Sequence, residues 1–206
     1  MHIARNYWHN LSEKIEKPEQ TYNKRSDISK DDALFISRFL TPDTSLLDFG
    51  SGTGKVINQL IDKVKDITAV ETYTGFSNFI SVAENMLVIN TRLEGFKIRK
   101  SFDVITATAV MQYFPEETAI EIYKNIYDML KPGGVFIARN HVGLHEKITV
   151  SKSDELNSEY FAEYRLLEAE INNIKLAGFS VEVIDEVPSH HNAWENSKHL
   201  YFVCRK

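Results

Sequence analysis

Apolar positions along the chain change their spacing several times, and each change predicts an element. Residues 1–28 are polar and lack sustained periodicity, although Tyr7, Trp8 and Tyr22 stand among them. They predict an N-terminal arm whose aromatic side chains dock on the fold that follows. From Ser29 a helical face emerges in Leu34, Phe35, Ile36, Phe39 and Leu40, with Ser29 and Asp32 spaced as a capping box. The apolar run Ser45–Phe49 reads as a buried strand, and Val56, Ile57, Leu60, Ile61 and Val64 follow at helical spacings of three and four. Residues 67–70, closed by Glu71, predict a second strand, 76–84 a short helix, 86–89 a third strand and 102–109 a fourth. A helix over 116–130 is stopped by Lys131-Pro132-Gly133-Gly134, and the continuous apolar run 135–138 is a buried fifth strand.

Alternation of strand and helix predicts an α/β fold whose sheet is built by right-handed crossovers. The tail reads differently. A long helix is expected over 155–177, ending at Ala177-Gly178-Phe179. Two strands, 180–187 and 200–204, then lie too close together for a crossover helix and predict an antiparallel hairpin. No repeat or linker divides the chain, so residues 29–206 are expected to form one domain behind the 1–28 arm.

The chemistry concentrates in Asp48-Phe49-Gly50-Ser51-Gly52-Thr53-Gly54, between a buried strand and a helical segment. Three of the chain's nine glycines alternate within five residues there. Such a turn lets main chain approach a ligand closely, with unpaired N–H groups behind it. A dinucleotide fingerprint would need glycine at 55 or 57, where Lys55 and Ile57 stand. A phosphate loop would need glycine at 49 and Ser or Thr at 56, where Phe49 and Val56 stand. What remains is Asp-x-Gly-x-Gly-x-Gly, followed by an acid at the end of the next strand. Glu71 is suited there to accept two ribose hydroxyls; otherwise it is a solvated strand end.

Composition narrows the field. The chain has 206 residues, 43% of them hydrophobic, enough for a substantial core. No apolar run is long enough to span a membrane, and the first residues have no apolar signal-peptide core, so a cytoplasmic protein is expected. A net charge of −5 disfavours nucleic acid as a partner. A single cysteine, Cys204, excludes an internal disulfide and a cysteine-rich metal site.

The motifs resemble those of the class I S-adenosylmethionine-dependent methyltransferases. LLDFGSGTG at 46–54 is similar to the family's first motif and ITAVE at 67–71 to its second. SFDVITATAVMQYF at 101–114, MLKPGGVFIARN at 129–140 and LAGF at 176–179 resemble later segments in order. The resemblance implies a three-layer, Rossmann-like seven-stranded sheet with one antiparallel strand, and S-adenosyl-L-methionine as cofactor. It implies that Gly50, Ser51, Gly52 and Gly54 pack around the cofactor, with Asp48 buttressing the turn or reaching its amino group and Glu71 on the ribose. Ala107 and Thr108 would border the methionine portion, and Arg25 would pair with its carboxylate. Relatives often carry an aspartate near the adenine; Asn90 or Thr91 takes that position in this chain.

The acceptor is read from what is missing. The fourth-strand segment has neither the Pro-Pro-aromatic run of amino-methylating DNA enzymes nor a nucleophilic cysteine. A metal-holding Glu-x-x-Glu-His pattern is also lacking, since Ala109, Gln112 and Tyr113 stand there, so no metal is expected. A small-molecule acceptor follows, methylated on oxygen or nitrogen; a non-catalytic cofactor-binding protein and a protein methyltransferase are the alternatives. His141, just past the fifth strand, is the candidate general base, with Tyr113 as a second catalytic candidate. Gln112, Tyr7, Trp8 and Tyr22 are candidates for holding the acceptor, the aromatics through packing or cation–π attraction to a sulfonium.

Overall fold

The computed structural model describes residues 2–22, 26–153, 158–192 and 194–206. Its strands are β1 Ser45–Phe49, β2 Asp66–Glu71, β3 Met86–Asn90, β4 Phe102–Thr108, β5 Leu130–Gly143, β6 Ile148–Ser153, β7 Ser158–Tyr164, β8 Ser180–Ile184 and β9 Ser197–Arg205. The α-helices are α1 His2–Ser12, α2 Ser29–Ser37, α3 Thr74–Ser77, α4 Glu116–Met129 and α5 Leu167–Leu176.

Seven strands form one sheet in the order β3-β2-β1-β4-β5-β9-β8. The pairings from β3 to β5 are parallel, while β9 runs antiparallel to both β5 and β8. The predicted C-terminal hairpin is therefore present, and its antiparallel strand lies one place in from the edge. Alternate residues of each strand feed two cores. Leu47, Ile105, Phe136 and Phe202 pack with α4 and α5 on one face, while Leu46, Val104, Ile137 and Tyr201 pack with α2 on the other. Three layers result. No helix among the described residues is long and apolar enough to cross a membrane.

Several expected elements take another form. The arm folds as α1 and a short 3₁₀ turn, Pro18–Tyr22. The segment expected as a helix over 56–64 makes two single 3₁₀ turns, Ile57–Gln59 and Ile61–Lys63; β-branched residues are poor helix formers. The helix expected over 76–84 is the single turn α3. The long helix over 155–177 is replaced by β7 and the shorter α5, with β6 pairing antiparallel to β7 as a separate hairpin. Tyr160, Ala162 and Tyr164 are buried, a period of two along β7. Ser29 and Asp32 form no capping box: α2 starts without a side-chain cap, and the Ser29 amide donates to Asp27 Oδ1 at 2.9 Å.

Candidate active site

The C-terminal ends of β1, β2 and β4 open onto one cavity of about 300 Å³. Its floor is the glycine loop. Backbone amides of Gly50 and Ser51 donate to the Val70 carbonyl at 2.8 and 3.0 Å, tying the loop to β2. Gly50 has φ +81°, and a Cβ there would stand 2.6 Å from a Val110 methyl. Gly52 has φ +54°, and a Cβ there would meet nothing within 4 Å. The first glycine is required by packing; the second leaves open space above the main chain.

Glu71 stands beside that space and is buried. The Gly52 amide donates to its Oε2 and the Tyr73 amide to its Oε1, each at 2.9 Å. Each oxygen thereby keeps acceptor capacity while its position is fixed. Burial raises its pKa, against the pull of those backbone amides. Asp48 is fully buried and its pKa is pushed up to about 6, chiefly by desolvation. Its Oδ1 accepts from Thr106 Oγ1 at 2.7 Å, and its carbonyl accepts from Ser51 Oγ at 2.9 Å.

Of the residues singled out in the sequence, Trp8, Asp48, Gly50, Ser51, Gly52, Glu71, Thr108 and Tyr113 line the cavity. Gly54 instead turns against Ile80. Ala107 is buried in the core, and Tyr7 packs edge-on against Trp8 and Tyr160. Asn90 spends its amide on the Glu71 carbonyl and Ser77 Oγ, at 3.2 and 2.8 Å, while the Thr91 amide donates to the Glu71 carbonyl. Gln112 is buried away from the cavity. Arg25 and the side chain of Tyr22 lie outside the described residues.

His141 also stands off the cavity, which corrects the expectation that it follows a strand end. β5 continues to Gly143 and pairs His141 with His199 on β9. The imidazole is buried, with Nε2 2.8 Å from Ser197 Oγ and its ring 4.0 Å from that of His199. The strand continues past its apolar run because each polar residue finds a buried partner. Arg139 Nε donates to Asp32 at 2.7 Å, and Asn140 Nδ2 donates to Glu170 at 2.6 Å.

Other wall residues carried no sequence signal of a place in the site. Asp32 and Arg139 border the cavity, as do Tyr73, Phe76 and Phe114. The arm contributes Trp8, Thr21 and residues 26–28. Ala109, directly after β4, has φ +57°, a strained conformation for a residue with a side chain. Five wall carboxylates, of Asp27, Asp32, Asp48, Glu71 and Glu94, face three cations, Lys55, Arg92 and Arg139. Lys55 Nζ donates to Asp27 Oδ2 at 2.8 Å. Among the described residues no group of three or more His, Cys, Asp or Glu side chains is placed to hold a metal ion.

Known proteins share this fold. Residues 47–138 match the family described as a methyltransferase domain. Carboxy-S-adenosyl-L-methionine synthase of Staphylococcus epidermidis is 24% identical over 167 residues, 76% of this chain and 68% of that protein. The DhpI–SAH complex superposes with a TM-score of 0.73 at 15% identity, covering 99% of this chain and 95% of DhpI. Phosphoethanolamine N-methyltransferase 1 of Haemonchus contortus, in complex with phosphoethanolamine and S-adenosylhomocysteine, gives 0.76 at 15% identity over 98% of this chain and 47% of its own. At such identities the superpositions establish the fold. The match to a methyltransferase domain at 47–138 is thus set in the fold that these solved structures share.

Proposed function

We propose that the protein transfers a methyl group from S-adenosylmethionine to an oxygen or nitrogen of a small-molecule acceptor. The observation that carries this reading is the Glu71 carboxylate, held by two amides beside main chain that has no side chain at Gly52. S-adenosylmethionine, when bound, supplies a methyl group on a positively charged sulfur. Glu71 accepts hydrogen bonds from the two ribose hydroxyls with the lone pairs its amide contacts leave over. Gly50, Ser51 and Gly52 let main chain close on the amino-acid end, and Asp48 braces the turn through Thr106. The excess of carboxylates on the wall favours a cationic sulfonium ligand.

Thr108 and the strained Ala109 border the methionine portion, and Tyr113 faces the acceptor. The Tyr160 hydroxyl donates to the Tyr113 hydroxyl at 3.1 Å, which orients that ring. The described part of the N-terminal arm acts as a partial lid: Trp8, Thr21 and residues 26–28 wall the cavity. A cavity of about 300 Å³, partly covered in this way, suits a small acceptor. His141 holds β5 to β9 and takes no part in proton transfer.

Incubating the protein with methyl-labelled S-adenosylmethionine and a whole-cell extract, then separating by ultrafiltration, tests this. Label in the small-molecule filtrate is expected. Label retained on protein or nucleic acid, or none transferred at all, contradicts the reading.

A further inference from the structure

Beside the C-terminal end of β4 the cavity wall holds a buried ion pair. Asp32 on α2 and Arg139 on β5 both line the cavity and are 1% and 6% exposed. Arg139 Nε donates to Asp32 Oδ1 at 2.7 Å, and the Tyr201 hydroxyl donates to the same oxygen at 3.0 Å. Arg139 Nη1 stands 3.2 Å from His199 Nδ1, which must be the acceptor because guanidinium nitrogens only donate. These contacts use one oxygen of the carboxylate and two nitrogens of the guanidinium. Asp32 Oδ2 and Arg139 Nη2 are left without partners among the described residues.

The pair is placed for the acceptor. Arg139 is in register with Thr108 on β4, whereas Glu71 lies at the end of β2, on the far side of β1. A neutral pair with one donor and one acceptor left over is complementary to two neighbouring hydroxyls, one accepting from Nη2 and one donating to Oδ2. Charge selects further. Wall carboxylates already outnumber cations, so an anionic acceptor would be repelled, and Asp32 is already neutralised by Arg139 and offers a cation little attraction. Trp8 and Tyr113, whose rings pack edge-on with centroids 5.1 Å apart, also line the cavity and offer apolar surface to the C–H face of a ring.

We propose that Asp32 and Arg139 form the acceptor-reading pair and that the acceptor is an uncharged polyhydroxylated compound, a sugar-type ring bound through neighbouring hydroxyls. This rests on the methyltransferase reading of the same cavity, and the test separates the two. Calorimetry with S-adenosylhomocysteine comes first; a folded wild-type protein that binds none fails the methyltransferase reading, and the acceptor assignment falls with it.

Saturation-transfer NMR on the S-adenosylhomocysteine-loaded protein then uses methyl glucoside and myo-inositol as polyols, malate as an anion and ethanolamine as a cation. Signal from a polyol, and none from malate or ethanolamine, is expected. Arg139→Lys keeps a cation beside Asp32 but removes the second amino group. It should weaken polyol binding roughly ten-fold while S-adenosylhomocysteine affinity stays within about three-fold. Asp32→Leu combined with Arg139→Met replaces the pair by apolar side chains, a change buried ion pairs tolerate, and should abolish polyol binding. Retained cofactor affinity reports that each variant is folded. Silence from both polyols with cofactor bound, a stronger signal from malate or ethanolamine, or wild-type polyol binding by Arg139→Lys overturns the assignment.

Discussion

The two ends of the cavity are built by different means. Under β1 and β2 the wall is main chain: amides of Gly52 and Tyr73 on Glu71, and a loop whose glycines carry positive φ. Beside β4 and β5 it is side chain: Asp32, Arg139 and the rings of Trp8 and Tyr113. Main-chain sites hold an invariant ligand, because backbone geometry changes little with sequence. Side-chain sites can be re-specified one substitution at a time. This division fits an enzyme with a fixed cofactor and an acceptor of its own.

The sharpest way to break the comparison is at the two glycines. Gly50→Ala adds a left-handed strain and a Cβ 2.6 Å from Val110, and should cost about 4 kcal/mol of stability. Gly52→Ala meets no protein atom within 4 Å and should cost only about 1 kcal/mol, while its methyl enters the space above the loop and weakens cofactor binding. Urea denaturation and S-adenosylhomocysteine titration of both variants check this. Equal destabilisation would mean that the loop is packed uniformly rather than opened at residue 52.

A smaller effect concerns Asp48. Its folded pKa of about 6 lies above its ordinary 3.8, so the native state binds more protons between those values. Stability contributed by this group is therefore present at low pH and is lost as pH rises from about 4 to 6, by about 3 kcal/mol. Asp48→Asn should flatten that slope and raise the stability of the ligand-free protein at pH 7.5, measured as urea midpoints at pH 5 and 7.5. An unchanged slope would mean that the Asp48 carboxyl is not desolvated.

The same division decides what was legible in the sequence. The loop could be read because only glycine tolerates φ +81° against Val110, and the sheet because its apolar runs are continuous. Asp32 and Arg139 lie 107 residues apart, and nothing local marks either as a partner of the other. Asp32 had a sufficient local explanation as a capping residue, yet one oxygen of its carboxylate is taken up by tertiary contacts. His141 was misplaced for a related reason. The strand was expected to end with its apolar residues at 138, but buried ion pairs and amides carry it on to Gly143. The β6–β7 hairpin has a weak sequence signature: Glu159 and Glu163 resemble the polar face of a helix, and the alternation of Tyr160, Ala162 and Tyr164 spans only five residues.

The central claim is that Glu71 grips the sugar of an adenosyl ligand over the glycine loop. Calorimetric titration of the wild-type protein and Glu71→Gln with S-adenosylhomocysteine tests it most directly. Binding on the order of micromolar is predicted for the wild type, and at least about ten-fold weaker binding for the variant. A folded wild-type protein that takes up no ligand at millimolar concentration, or a variant that binds equally well, would contradict it.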